Sequence, residues 1–587
     1  MLESQKSDLL NILMSGDLSG ARAKVSALST EEQNTGFVQN FLGALSLQEG
    51  RVQDAVEFFD NAVQLDRDYP APLKNLALLY LQLNELELAS SNIRKALSLV
   101  PDDPDALHTS GFVKLRAGKF HDAIIDLEMC LRGAPHNPKF LNTAGMAYFG
   151  VDEFLVAKRH FKKAADLSPD FEDAILNLAR CERQLGNYSE SDHVFSGLLE
   201  RQPDNETALM GLAVNLLDNG NEAAALIHLE RCVDNSPTHG NAHSLLAAID
   251  RTEVNDRLFL HMQKIVESGK GESDSNLMHF RHALYKCYER SGDFRNAFIN
   301  LKLANEHQAR QRPSKNKPPY HTGQDRKLFE SIADLEARFP DCEFRHDGTS
   351  NPAPIFIVGL PRSGTSLVER IVNNHSHVRA LGELTYLQNA IETSGLLKAE
   401  AGVSAFSEVR QSYFAKTQQH HPNETYVIDK MPLNFRWIGV ILRSFPEARI
   451  IHMHRQPQAT CFSIFAHIFS GNLGFDNQLS DIASYYHLYS ALMKRWQAEY
   501  PGKIFHLNYD DFVEHPRDMS MKLFDYLNLD WHPALIETEN SDGAVATASR
   551  LQVRKSIYKG SSDFWQRYQE DIDQSVLDLA AFDPAER

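Results

Sequence analysis

The sequence predicts an α-helical repeat superhelix followed by an α/β domain whose parallel sheet is flanked by helices. Three observations point there. Small residues recur every 34 positions through the first half of the chain. Branched apolar runs alternate with helical stretches beyond residue 350, the pattern of a sheet covered on both faces. A Pro- and Lys-rich stretch, RQRPSKNKPPYHTGQ, separates the two. At 587 residues the chain is too long for one core, so two or more domains are expected.

In residues 1–310 three series run in phase. Gly43, Ala77, Gly111, Gly145, Ala179, Ala213 and Ala247 form one. Ala21, Ala55, Ala89, Ala123, Ala157, Ser191 and Ala225 form the second. Pro101, Pro135, Pro169, Pro203 and Pro237 form the third, and Gly16, Gly50, Asn84, Gly118, Asp152, Gly186 and Gly220 fall between the first two. Small residues let paired helices approach, the turn residues link them, and Pro stops the second helix. A period of 34 with this arrangement is the tetratricopeptide signature, although the Trp of its first helix is lacking. Full repeats are expected at 37–70, 71–104, 105–138, 139–172, 173–206 and 207–240, with a partial repeat before them and a degenerate one after. Residues 275–310 restore the pattern out of phase. Stacked repeats make a superhelix with a concave face, which implies a protein- or peptide-binding groove or a scaffold for oligomerisation.

Residues 311–350 read as a linker and a bridging helix over Asp325–Phe339. The basic cluster Arg310, Arg312, Lys315 and Lys317 either lines an anionic site or is solvated.

In residues 351–587, strands are expected at 355–359, 378–382, 425–429, 448–453 and 503–508. Helices are expected at 365–374, 384–395, 404–419, 433–444, 457–469, 480–499 and 511–527. The first strand runs into Gly359-Leu-Pro-Arg362-Ser363-Gly364-Thr365-Ser366 and then a helix. Backbone N–H groups of such a turn and the helix N-terminus converge on one anion. A nucleoside-triphosphate loop requires Lys before the last hydroxyl, and Thr365 stands there instead. Arg362 supplies a cation, so a nucleotide with a shorter 5′ end and no metal fits.

Ligands of parallel sheets bind at the carboxyl ends of strands. Leu381-Gly382-Glu383 follows the second strand, Asp429-Lys430-Met431-Pro432 the third, and His454-Arg455 the fourth with Ser463 eight residues on. Asn508-Tyr509-Asp510 follows the fifth, and Ser549-Arg550-Leu551-Gln552-Val553-Arg554-Lys555 stands near the end. Together these resemble the sulfotransferase family, in particular its tyrosylprotein sulfotransferases and tetratricopeptide-containing members. The motifs span 354–568. The resemblance implies 3′-phosphoadenosine-5′-phosphosulfate (PAPS) as co-substrate and no metal. It implies that Arg362, Ser363, Gly364, Thr365 and Ser366 bind the 5′-phosphosulfate and that Arg455 and Ser463 hold the 3′-phosphate. It also makes Glu383 the general base and Lys430, Arg362 and Ser549 catalytic. Tyr509 matches the family's nucleotide-side tyrosine, with Asp510 where the family has Glu. Arg554 and Lys555 either close over the nucleotide or decorate a loop.

The chemistry is consistent without the family. Sulfuryl transfer asks for positioning and charge stabilisation. A carboxylate beside the acceptor hydroxyl takes its proton, and a cation at the leaving oxygen acts on the transition state. The acceptor implied is a hydroxyl on a protein or peptide, with tyrosine, a glycan or a small molecule open. A kinase-like enzyme with a degenerate loop and a non-catalytic repeat scaffold are the competing readings. His375 lies too far along its helix to act as base, and His452-x-His454 has no third ligand nearby in sequence.

Composition narrows the partners. A net charge of −18 argues against nucleic acid. No run of 18 apolar residues exists to span a membrane, and the opening MLESQKSDLLNILMSGDLSG predicts no secretory signal. Cys130, Cys181, Cys232, Cys287, Cys342 and Cys461 are scattered, which predicts reduced thiols and a cytoplasmic protein. The oligomeric state is left open.

Overall fold

The computed structural model describes residues 3–269, 272–311, 320–339, 352–398, 400–417, 425–469, 473–537 and 560–584. The chain divides into two compact units, Met1–Arg201 and Gln202–Arg587. The division falls inside the repeat array.

Met1–Arg201 is built of helical hairpins, among them Gly36–Gln48 with Val52–Leu65 and Pro138–Phe149 with Phe154–Leu167. The period has a direct steric cause. A Cβ on Gly43 would lie 2.5 Å from the Phe59 ring, one on Gly111 2.5 Å from Leu127, and one on Gly145 2.6 Å from Phe161. The expected turn residues all have positive φ, including the non-glycines Asn84 and Asp152 at 60°. Pro101, Pro135 and Pro169 each stand two residues beyond a helix ending at Leu99, Gly133 or Leu167.

Gln202–Arg587 begins with a further hairpin, Glu206–Asp218 with Glu222–Asn235, followed by Gly240–Ala248 and Arg257–Ser268, which both pack on the next helix, Asp274–Ser291. Its last pair is longer, α1 (Asp274–Ser291) and α2 (Phe294–Gln311). Helix α3 (Thr322–Arg338) follows and packs Phe329, Ile332 and Leu335 into the same core as Phe435 and Tyr485. Its buried Glu336 accepts from Arg443 and from the Tyr500 hydroxyl at 3.0 Å.

A five-stranded, wholly parallel sheet forms the rest. Its strands are β1 (Ala353–Gly359), β2 (Val378–Ala380), β3 (Tyr426–Asp429), β4 (Arg449–His454) and β5 (Ile504–Asn508), in the spatial order β2-β3-β1-β4-β5. Gly359 pairs with Met453, and Phe356 with both Asp429 and Ile450. Alternate residues of β1 serve opposite faces: Phe356 and Val358 join one apolar core, Ile355 and Ile357 the other. Both faces are buried, which is why the strands read as unbroken apolar runs.

Helices α4 (Thr365–Asn373), α5 (Ser404–Thr417), α6 (Pro457–Phe465) and α7 (Leu479–Glu499) connect them. Three expected helices differ. The 433–444 stretch opens as a 3-10 helix, Pro432–Trp437, and becomes α-helical only at Ile438–Ser444. The 511–527 stretch is Tyr509–Glu514 and Pro516–Leu527, because Pro516 cannot continue a helix but suits a first turn. The 457–469 stretch stops at Phe465, where side chains of α1 and α2 take up the terminal carbonyls. The five described cysteines, all but Cys342, are buried and free.

Candidate active site

Each strand is followed, within three residues, by a residue or loop that the sequence singles out, so the sheet order becomes the order of the site: Glu383, Lys430, the phosphate loop, Arg455, Tyr509. The chain leaves β1 towards β2 and leaves β4 towards β5, in opposite directions, so a crevice opens between β1 and β4.

The loop is shaped by close contacts. A Cβ on Gly359 would lie 2.3 Å from the Met453 carbonyl oxygen, and one on Gly364 2.4 Å from the Tyr509 ring. Arg362 has φ 69°, the left-handed region that costs an L-residue energy and marks functional turns. Its Nε donates to Ser463 Oγ at 3.1 Å. Ser363 Oγ donates to the Leu360 carbonyl at 2.7 Å and closes the turn. Thr365 and Ser366 are buried in the first turn of α4, whose N-cap, Gly364, has no side chain to cover the positive end.

On the β4 side, Arg455 Nη1 donates to the Arg362 carbonyl at 3.4 Å and Nε donates to Ser562 Oγ at 2.8 Å. Its guanidinium lies 4.7 Å from the Tyr509 ring centroid. Ser562 donates in turn to Asp510, and Ser561 hydrogen-bonds the Tyr509 hydroxyl at 3.0 Å. Ser463 therefore meets Arg362, while Arg455 is held by Ser562. Those serines were invisible to sequence reasoning, having no motif and standing more than 100 residues beyond Arg455.

On the β3 side, Lys430 is fully buried and is not paired with Asp429. Its Nζ lies 2.5 Å from Glu383 Oε1 and 3.7 Å from Glu369 Oε2. Asp429 instead accepts from the Tyr413 hydroxyl of α5 and from Asn434, both at 3.3 Å. Burial pushes the Asp429 carboxyl up to about 8, against the pull of the Tyr413 hydrogen bond. Burial also works against a charged Lys430, but Glu369 and then Glu383 outweigh it and hold the ammonium above its ordinary range. Gly382, at φ 78°, ties the group together. Its N–H donates to Glu369 and its carbonyl accepts the Lys430 N–H at 3.0 Å. Glu369 is one more residue that sequence reasoning missed.

Ser549, Arg554 and Lys555 lie outside the described residues, as do Arg312, Lys315 and Lys317. His375 stands near the far end of α4 beside His377 and Phe524. His452 finds a partner the sequence hid: its Nδ1 is 2.8 Å from His506 Nδ1, and its Nε2 is 2.6 Å from the Tyr489 hydroxyl. Among the described residues no group of three or more His, Cys, Asp or Glu is arranged to hold a metal ion.

Comparison with known proteins agrees with this geometry. Residues 354–533 match the sulfotransferase family, and residues 46–111 and 152–205 match the tetratricopeptide repeat. The chain joins tetratricopeptide repeats to a sulfotransferase-family domain. A protein of Aquifex aeolicus is 31% identical over 309 residues, 49% of this chain and 39% of that one. Protein-tyrosine sulfotransferase 1 of Danio rerio is 26% identical over 215 residues, 34% of this chain and 60% of its own. A tetratricopeptide repeat protein of Parabacteroides merdae matches at 20% identity over 42% of this chain and 97% of its own, with a TM-score of 0.35. The chain thus spans about two fifths of the first of these relatives and three fifths of the second.

Proposed function

We propose that the protein is a PAPS-dependent sulfotransferase that modifies a hydroxyl on a protein or peptide, tyrosine being the first acceptor to try. One observation carries the reading: an arginine-bearing anion loop stands between a second arginine on one side and a carboxylate–lysine pair on the other. Arg362 and the N-terminus of α4 suit a 5′-phosphosulfate. Arg455, a planar fork beside Tyr509, suits a second phosphate. Thr365, where a triphosphate loop has lysine, favours this nucleotide over ATP.

PAPS, when bound, supplies the sulfuryl group. Glu383, partly exposed where Lys430 is buried, takes the proton of the acceptor hydroxyl. Arg362 and Lys430 face the negative charge that grows on the departing oxygen. Relatives named protein-tyrosine sulfotransferases, at 26% and 24% identity, support the tyrosine acceptor. The repeats support a protein acceptor held outside the transferase domain.

The test is calorimetric titration with adenosine 3′,5′-bisphosphate and, separately, ATP with magnesium. Tight bisphosphate binding, weak ATP binding and at least a tenfold loss on Arg455→Ala are expected; charge-assisted phosphate contacts carry about 1.5–3 kcal/mol each. A preference for ATP sinks the reading.

A further inference from the structure

Beside the proposed base the structure holds more negative charge than a single base requires. Glu369 is the fifth residue of α4, the helix that opens on the phosphate loop, and its side chain is turned into the protein. Two elements receive it. The Gly382 N–H donates to its carboxylate, and Lys430 Nζ lies 3.7 Å away; burial and the nearby Glu383 push the Glu369 carboxyl up, and Lys430 and the Gly382 N–H pull against them. Lys430 therefore sits between two carboxylates from two elements: Glu383 on the exposed side, 2.5 Å off, and Glu369 on the buried side. Further ionisable groups near it among the described residues are Asp429 on its own strand end and, through it, Tyr413 of α5.

This arrangement matters when the base works. The acceptor hydroxyl gives its proton to a Glu383 oxygen, the carboxylate becomes neutral, and its negative charge passes to the acceptor oxygen. Lys430 then loses its nearer counter-ion while fully buried, and a buried ammonium without a counter-ion is disfavoured. Resting on the sulfotransferase reading, we propose that Glu369 is a positioning residue of the reaction, a second counter-ion that keeps Lys430 in place and charged once Glu383 has taken the proton. The same side chain ties the loop helix to the Gly382-Glu383 turn, so the anion cradle and the base are held in one register.

The test compares wild type, Glu369→Gln and Glu369→Asp in three measurements. Glu369→Gln keeps the shape and the Gly382 hydrogen bond but removes the charge. Bisphosphate affinity, read by calorimetry, is expected to stay within about threefold in all three proteins, which also shows that they fold. Transfer by Glu369→Gln is expected to fall roughly 10²-fold, with the alkaline limb of its pH profile moved to lower pH and with partial rescue in Glu369→Asp. The third readout needs no activity. With Glu369 present the raised Lys430 stabilises the fold below the unfolded lysine range, and that stability is lost as pH rises through the folded value. The melting-temperature gap between wild type and Glu369→Gln is therefore widest near pH 7 and narrows above about pH 10. A gap that is the same at every pH, or a pH–rate profile that only shrinks without moving, overturns the proposal. Wild-type protein that neither binds bisphosphate nor transfers sulfate overturns the underlying reading, and the proposal with it.

Discussion

The hairpins of Met1–Arg201 and the last hairpin, α1–α2 of the second unit, descend from one sequence pattern but are held by different forces. In the first unit the helices of a pair meet where a glycine lets a Phe or Leu approach, as at Gly43, Gly111 and Gly145. Successive repeats are joined by amide ladders, Asn75 to Asn40 at 2.9 Å and Asn177 to Asn142 at 3.0 Å. The α1–α2 pair instead addresses the transferase domain. Asn305 donates to the Phe465 carbonyl at 2.9 Å, and His282 Nε2 lies 3.3 Å from the Ala466 carbonyl. Tyr285 and Tyr568 share Glu289. These contacts satisfy the end of α6, which a helix cannot do for itself. Two residues before that end stands Ser463, the partner of Arg362. The last repeat thus contacts the end of the helix that carries Ser463, beside the crevice between β1 and β4.

Acid offers the widest separation of the two units. His243, His282, His452 and His454, all in the second unit, are buried, and burial lowers each. His282 falls to about 3, His243 and His454 to about 4. Each is neutral when folded and gains a proton on unfolding below its ordinary value near 6.5. Their contribution is full above that value and is lost as pH falls towards the folded values. One pH unit below the unfolded value the loss is about 1.4 kcal/mol for each such histidine. In the first unit the lowered histidines, His108 and His160, are only half-buried. Trp437, Trp496, Trp531 and Trp565 all lie in the second unit, so tryptophan fluorescence reports it alone while circular dichroism reports both. Between pH 7 and 5.5 the fluorescence melt is expected to drop further than the residual helix signal. Equal shifts would refute the contrast.

Tyr285→Ala comes next. The side chain is fully buried in the core that α1 and α2 share with α6 and the 564–568 turn. Removing a buried aromatic costs about 3–5 kcal/mol. The loss is expected in the denaturant midpoint followed by tryptophan fluorescence, together with weaker bisphosphate binding, because the support of α6 loosens. Unchanged bisphosphate affinity in a folded variant would mean that the hairpin is only attached to the crevice and does not support it.

The contrast also explains what could be read from the sequence. Strand–loop–helix at Pro354–Asn373 was legible because glycine, arginine and hydroxyl residues act through the local backbone. The repeats were legible because one steric rule recurs every 34 residues. Five strand ends fell within two residues of expectation for the same local reason. Tertiary partners were not legible. Lys430 stands next to Asp429 in the chain, yet its partners, Glu383 and Glu369, reach it from other elements. Nothing local distinguishes Glu369 from any other helical glutamate, or Ser562 from any other serine. The contacts of α1 and α2 with the end of α6 were equally hidden, since they join residues about 160–180 positions apart.

Gly145→Leu probes the other side of the comparison. A Cβ alone would approach the Phe161 ring to 2.6 Å, well inside van der Waals contact, and the rest of a leucine has no space. Phe161 is itself buried to 1% exposure, so it can yield only by pushing the hairpin apart. Leucine's higher helix propensity, about 1 kcal/mol over glycine, offsets part of an overpacking cost of about 1–3 kcal/mol. A net loss of about 1–2 kcal/mol is expected in the circular-dichroism melt. Tryptophan fluorescence and bisphosphate affinity should not change, because a repeat array transmits a defect mainly to its neighbours. If bisphosphate affinity fell as it does for Tyr285→Ala, the first unit would also be supporting the crevice, and the distinction between regular repeats and the last hairpin would fail.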